Sequence, residues 1–142
     1  MAHTMTPEQR REFLMTGTMT GKLAVTRADG SPHVTPVWFV LDGDDVMLTT
    51  AADSLKGRAL TRDPRASLSV DDQAPPYSFV VMHGTAQLSA DPAELLRWAT
   101  AVGARYMGAD RAAEFGRRNA VPGELLVRFR PANTVALAQV TD

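Results

Sequence analysis

The chain has 142 residues, of which 44% are hydrophobic and 22% are charged, and these values are ordinary for one globular domain. Its 16 acidic and 15 basic residues nearly cancel, which argues against nucleic acid as a partner because such binding needs excess positive charge. The absence of cysteine excludes disulfides and zinc-thiolate sites, and no segment has the roughly 20 apolar residues of a membrane span. We therefore expect one cytoplasmic domain over residues 1–142, with a flexible tail at 1–5 and no membrane partner.

The first half of the chain predicts one helix followed by three antiparallel strands. Thr6, Pro7 and Gln9 provide the N-cap, the first-turn proline and the capping-box partner of a helix that runs to about residue 15. β-branched and apolar residues predict strands over 22–27 and 33–41, which are joined by the turn residues 28–31. A second turn over 42–44 leads into a third strand over 46–50.

The second half predicts three helices and four strands. A short helix over 54–62 ends before Asp63-Pro64, because proline disfavours helical geometry in the preceding residue. Longer helices follow from Asp91 and over about 110–119, and strands are predicted over 66–70, 79–88, 125–129 and 135–140. Six or seven mostly antiparallel strands with few helices favour a mainly β fold, a small barrel with peripheral helices, over a doubly wound parallel sheet.

The most informative segment for function begins where the third strand ends. Two hydroxyls, Thr49 and Thr50, are followed by a short loop and then by a helix start with Ser54, Lys56 and Arg58. Cations near a helix N-terminus oppose the helix dipole, and a bound anion would offset this conflict. Hydroxyls, free backbone N–H groups and two cations therefore predict a phosphate site, with a solvated basic helix face as the alternative.

Other chemistry-bearing residues carry weaker signals. The three histidines lack a metal-binding motif such as HExxH, and no metal site is predicted. No GxSxG elbow marks a hydrolase, and the catalytic residues are unknown because no side chain stands out as a proton donor. Aromatic residues at 38, 39, 77 and 79 fit barrel or interface packing.

Three segments together resemble a known family. They are residues 30–39 (GSPHVTPVWF), residues 54–60 (SLKGRAL) and residues 62–67 (RDPRAS). The chain resembles, from about residue 6 to 140, the pyridoxamine 5'-phosphate oxidase-like split β-barrel superfamily and its actinobacterial branch that uses the deazaflavin coenzyme F420. The resemblance implies a six- to seven-stranded antiparallel split barrel of the FMN-binding type.

The family resemblance also implies a homodimer with a cofactor in each of two equivalent clefts. Carried over to this sequence, the phosphate would lie at the helix start and the ring along the second and third strands, with Tyr77 and Ser78 reaching in from the partner subunit. The implied cofactor-binding residues are Pro36, Val37, Trp38, Thr49, Thr50, Ser54, Lys56, Arg58, Tyr77 and Ser78.

The cofactor decides the chemistry that the resemblance implies. F420 carries hydride, so the expected activity is the reduction of an unsaturated or conjugated small molecule. An FMN-dependent oxidase or reductase and a non-catalytic carrier of cofactor or ligand are the alternatives. Residues 130–134 do not match the substrate-binding tryptophan and arginine segment of pyridoxamine phosphate oxidases, so oxidation of vitamin B6 is not expected.

Overall fold

The computed structural model describes all residues from 1 to 142 and alternates short helices with antiparallel strands. The helices are α1 (Pro7–Leu14), α2 (Leu55–Arg62), α3 (Pro92–Met107) and α4 (Ala112–Asn119). The strands are β1 (His3–Thr4), β2 (Gly21–Thr26), β3 (Pro32–Val37), β4 (Val40–Asp42), β5 (Asp45–Ala51), β6 (Arg65–Asp71), β7 (Phe79–Ser89) and β8 (Glu124–Ala138). None of the helices combines the length and apolar character that crossing a membrane requires.

The strands form one sheet that closes on itself. Its order is β3-β2-β6-β7-β8-β5-β4, and β1 pairs with the C-terminal end of β8. β3 and β4 stand at opposite ends of this order, yet only Trp38 and Phe39 separate them in the chain. One bent stretch thus pairs with β2 up to Val37 and with β5 from Val40 onward. The predicted mainly β barrel with peripheral helices is confirmed.

The structure corrects three predicted features. The strand expected over 33–41 is interrupted at Trp38 and Phe39, where the chain changes its pairing partner. The strands expected over 125–129 and 135–140 are instead one strand, β8, because an irregularity opposite His83 and Gly84 accommodates Pro131, which has no N–H to donate. Residues 3–4, expected in a flexible tail, pair with β8, so the sheet has eight strands and not six or seven.

Two apolar clusters hold the fold together. The larger fills the barrel with side chains such as Phe39 and Phe129, and it includes Leu14 of α1 and Leu60 of α2. The smaller lies on the outer side of β4, β5 and β8, where α3 packs with Leu95, Trp98 and Val102 against Val40, Met47 and Leu126. The two sides of β5 are therefore both covered.

The outer side of the remaining strands has no such cover. The strand register places the outward side chains of β3, β2, β6, β7 and the C-terminal half of β8 on one surface, which we call the open face. One row of paired residues across this surface consists of Val34, Ala24, Ser67, His83 and Asn133. Val34 and Val135 on this surface are 59% and 52% exposed. A shallow concavity of about 690 Å³ lies there and includes Ser67, His83 and Asn133.

Candidate functional site

A gap in strand pairing lies between β3 and β5. β3 pairs on one side only, with β2, and β5 loses β4 as its neighbour after Met47. Trp38 lies two residues before Val40 and Thr49 two residues after Met47, so continuation of the antiparallel register brings Trp38 and Thr49 to the same end of the gap. We call this feature the β3–β5 gap. It is bounded by the end of β3, the end of β5 and the start of α2.

The turn from β5 into α2 is built by two hydroxyls. Ser54 caps the helix: its Oγ accepts a hydrogen bond from the Gly57 N–H at 3.0 Å and donates one to the Ala51 carbonyl at 2.6 Å. Thr50, the one polar residue among the buried residues, has its Oγ1 3.0 Å from the Ser54 Oγ. Both hydroxyls thus hold the turn in place. A serine at this position indicates a helix N-cap, but no local sequence pattern indicates the contact between Thr50 and Ser54.

The two cations of this helix start have no acidic partners. Lys56 is half-buried and Arg58 is exposed, and no carboxylate oxygen lies within 4.0 Å of either charged group. Arg58 donates only to the Asp53 carbonyl, at 3.1 Å. The N–H groups of Leu55 and Lys56 stand in the first turn, where an α-helix offers them no acceptor. The first turn of α2 therefore carries two cations without acidic partners and two free backbone donors, groups that can bind a phosphate.

Acidic residues limit this positive region on the β8 side. Glu124 pairs with Ala51 across β5 and β8, and the Ala52 N–H donates to the Gly123 carbonyl at 2.8 Å. Burial, and then the nearby charge of Asp53, raise the pKa of the Glu124 carboxyl. The ionised form of Glu124 is therefore disfavoured in this position.

The expected ring-lining residues occupy the other side of the gap. Pro36 is exposed and Trp38 is 39% exposed, whereas the Val37 side chain is buried in the barrel core. Val37 can therefore offer only its backbone to a ligand in the gap. Thr35, on the same strand, has the one buried side-chain oxygen without a hydrogen-bond partner. An unpaired buried hydroxyl costs stability, and sequence analysis did not single it out.

Trp38 rests on a support that sequence analysis also missed. Its ring stacks on Tyr106 of α3, with centroids 4.9 Å apart and an interplanar angle of 3°. The Tyr106 hydroxyl donates to the Met19 carbonyl at 2.8 Å and accepts from the Phe39 N–H at 3.2 Å. Burial raises the pKa of Tyr106, so this hydroxyl stays neutral and able to donate.

Arg105, next to Tyr106 on α3, also fixes the backbone beside Trp38. Its guanidinium donates to the Phe39 and Leu14 carbonyls, both at 2.7 Å, and to the Gly17 carbonyl at 3.0 Å. Burial lowers its pKa, since no carboxylate accompanies the charge. These contacts join residues 66 or more positions apart, and no local pattern marks them.

Tyr77 and Ser78 lie away from the other predicted residues. They precede β7, and the Ser78 Oγ accepts a hydrogen bond from the Gln139 N–H at 3.1 Å. The opposite end of β7, Ser89, pairs with Leu126, which in turn pairs with Thr49. Ten residues of strand separate the two ends of β7, roughly 33 Å at about 3.3 Å per residue. Tyr77 and Ser78 therefore lie far from the β5 side of the gap, and β2 and β6 separate their strand from β3 on the other side.

Comparisons with known proteins agree with this architecture. Residues 6–136 match the protein family described as pyridoxamine 5'-phosphate oxidase. The structure of the conserved hypothetical protein Rv2991 from Mycobacterium tuberculosis superposes with a TM-score of 0.84 at 28% identity, covering 95% of this chain and 86% of that one.

Two further solved structures show how widely the fold is used. A protein named F420 reductase is 26% identical with a TM-score of 0.66, over 90% of this chain and 95% of that chain. The heme storage protein HutZ from Vibrio cholerae is 18% identical with a TM-score of 0.71, over 93% of this chain and 96% of that chain. At that identity the likeness to HutZ concerns the fold alone.

Proposed function

Because the chain belongs to the pyridoxamine 5'-phosphate oxidase family, we propose that it binds the deazaflavin F420 and acts as a reductase. The observation that carries this proposal is the pair of cations, Lys56 and Arg58, which no carboxylate neutralises at the start of α2 beside the β3–β5 gap. The 26% identity to a protein named F420 reductase, over nearly the full length of both chains, supports the choice of cofactor.

The residues around the gap fit such a cofactor. The N–H groups of Leu55 and Lys56, the Lys56 ammonium and the Arg58 guanidinium would hold the phosphate. Thr49 and Thr50 flank that position, although the Thr50 hydroxyl is already engaged with Ser54. Pro36, the Val37 backbone and the edge of Trp38 would border the ring.

The bound deazaflavin would supply a hydride to an unsaturated or conjugated small molecule. The chain's part is to hold the cofactor and the acceptor in a fixed relative position, which lowers the barrier without a dedicated acid or base. None of the proposed ring-lining residues, Pro36, Val37 and Trp38, carries a carboxyl or imidazole group, so we assign the proton to water.

We propose that the functional unit is a homodimer formed through the open face. Tyr77 and Ser78 lie far from the β5 side of the gap, and β2 and β6 separate them from β3, so we assign them to the cofactor site of a second copy. Val34 and Val135 give the open face apolar surface, and a two-fold axis would bury the same patch on both copies.

Light scattering after size-exclusion chromatography tests the homodimer. We expect twice the mass of the 15.4 kDa chain at micromolar concentration, and the mass of a single chain for the double variant Val34→Lys, Val135→Lys. Leu96, which is 45% exposed on α3 away from the open face, provides the matched control Leu96→Lys, which is expected to remain dimeric. A monomeric wild-type protein would contradict the proposal.

Parallel titrations with F420 and FMN test the cofactor. We expect saturable binding of F420 at micromolar or lower concentration and weaker binding of FMN. Tight binding of FMN alone, with yellow colour and oxygen consumption, would favour the FMN-dependent alternative. Binding of F420 without reduction of any conjugated acceptor would favour a non-catalytic carrier.

A further inference from the structure

The Trp38 ring stacks on Tyr106 and remains partly exposed. The two rings are nearly parallel, with centroids 4.9 Å apart and an interplanar angle of 3°, and Trp38 is nevertheless 39% exposed. The ring of Phe115 on α4 has its centroid 6.1 Å from that of Trp38, with a tilt of 50°. Trp38 therefore has two aromatic neighbours and a part of its surface that a ligand can reach.

The ring of Trp38 is held in a fixed orientation. Tyr106 cannot rotate away without breaking its hydroxyl bonds to Met19 and Phe39, and Arg105 ties the Phe39 carbonyl to the Leu14–Gly17 segment. Trp38 is therefore pre-organised on a rigid corner of the barrel, and a ligand that stacks there has little ordering cost to overcome.

The geometry points to Trp38 as the surface on which the hydride acceptor stacks, which makes that acceptor a planar, conjugated molecule with an aryl group. Arg105 and Tyr106 are positioning residues that act through Trp38. This inference rests on the proposed function, because it assigns the acceptor side of the same gap: Lys56 lies in the first turn of α2, whereas Trp38 lies between the gap and the α3–α4 pair.

Two α,β-unsaturated ketones make suitable probes. Benzylideneacetone has a planar aryl-enone system, and cyclohex-2-en-1-one has the same reacting double bond without the aryl plane. In either reduction the β-carbon gains a hydride and the α-carbon a proton from water, while the reduced deazaflavin is oxidised by two electrons. The pair therefore separates stacking from reactivity.

Intrinsic fluorescence provides a readout that does not depend on turnover. The chain has two tryptophans, and Trp98 is buried at 7% exposure, so a ligand that stacks on the surface quenches Trp38. We expect saturable quenching by benzylideneacetone, in the dimer and also with F420 bound, and little by cyclohexenone.

Variants then locate the contact by calorimetric titration. We expect Trp38→Leu to weaken benzylideneacetone binding by about three- to tenfold, the size of a lost aromatic pair, and Trp38→Phe to weaken it less. Tyr106→Leu removes the backing ring and should also weaken binding, whereas Tyr106→Phe keeps the ring and should retain most of it. In turnover, Trp38→Leu should raise the KM for benzylideneacetone by a larger factor than the KM for cyclohexenone.

Different outcomes separate this inference from the proposed function. If saturating F420 prevents benzylideneacetone from quenching Trp38, or if Trp38→Leu weakens F420 binding more than benzylideneacetone binding, the ring of Trp38 stacks on the cofactor and the inference is wrong. A Trp38→Leu protein that becomes monomeric would make Trp38 an interface residue, which also overturns the inference. Benzylideneacetone binding without any F420 binding would defeat the proposed function while the stacking surface stands.

Discussion

Two cationic regions of this molecule differ in how their charges are balanced. Near the turn between β4 and β5, every arginine has a carboxylate within reach; the pairs are Arg10 and Arg11 with Asp44 at 3.8 and 2.8 Å, Arg128 with Asp42 and Asp45 at 2.9 and 2.8 Å, and Arg130 with Asp45 at 3.6 Å. At the start of α2, Lys56 and Arg58 have none. Cations that are neutralised by the fold stabilise it, whereas cations left without partners remain free to attract an anionic ligand.

The largest expected effect tests the free cations. Loss of one charge-assisted contact removes roughly 1.5–3 kcal/mol, so Lys56→Ala should raise the Kd for F420 by about one to two orders of magnitude. The cofactor-free variant should melt at the wild-type temperature or slightly above, because removing a cation from a helix N-terminus relieves an unfavourable dipole interaction. A fluorescence titration and a thermal melt measure the two quantities.

Arg11→Ala is the matched control for Lys56→Ala, because it removes one positive charge near the turn between β4 and β5, where the arginines are paired with carboxylates. The F420 affinity of Arg11→Ala should equal that of the wild type. If Lys56→Ala and the wild type bind F420 with equal affinity, the prediction that Lys56 binds the cofactor is wrong. A melting temperature several degrees lower for cofactor-free Lys56→Ala would show that this lysine supports the fold.

Gly57→Ala changes the backbone packing at the start of α2 without changing the charge there. A Cβ on Gly57 would collide with the Ala51 carbonyl and lie 2.9 Å from the Ala52 carbonyl. Overpacking of this kind costs about 1–3 kcal/mol, so the melting temperature should fall by several degrees and F420 affinity should fall with it. An unchanged melting curve would mean that the turn can shift, and that its close packing is not required.

Arg128→Ala tests how much the paired charges near the turn between β4 and β5 contribute to stability. It leaves Asp42 and Asp45 without their shared partner, and we expect a loss of about 1 kcal/mol of unfolding free energy with no change in F420 affinity. Arg128→Lys, which keeps the charge, should recover part of the loss. Chemical denaturation measures the difference, and weakened F420 binding by Arg128→Ala would place this region in the site.

The smallest effect concerns Glu124, at the acidic border of the free region. Because burial and Asp53 raise its pKa in the folded chain, ionisation of Glu124 lowers stability as the pH rises through the unfolded value of about 4.5 and then through the folded one. Glu124→Gln should therefore melt slightly higher than wild type at pH 7. The difference should vanish below pH 4.5, where both states of the wild type are protonated. A difference that persists in acid would trace the effect to packing.

Local sequence signals located much of the fold and the cationic helix start of the candidate site. The capping box at Thr6 and Gln9, the cap at Ser54 and the stop at Asp63 all depend on residues within four positions of one another, and α1 and α2 form where these predict. The free charges of Lys56 and Arg58 were visible for the same reason, as an unfavourable placement on a short helix.

Long-range contacts could not be predicted in this way. The sequence predicts one strand over 33–41 and two over 125–129 and 135–140, yet the structure divides the first stretch and joins the second into β8, which ends at Ala138. The difference depends on pairing partners: Val37 faces β2, Val40 faces β5, and the irregularity opposite Gly84 lets β8 continue through Pro131.

The sequence by itself determined the class of the fold, the helix termini and the cationic start of α2, because each follows from the preferences of neighbouring residues. The tertiary structure alone decided which cations are paired, where the barrel opens, and how Arg105 and Tyr106 hold Trp38. Those properties depend on atoms that are brought together from distant parts of the chain, and burial and charge compensation exist only after the chain has closed around them.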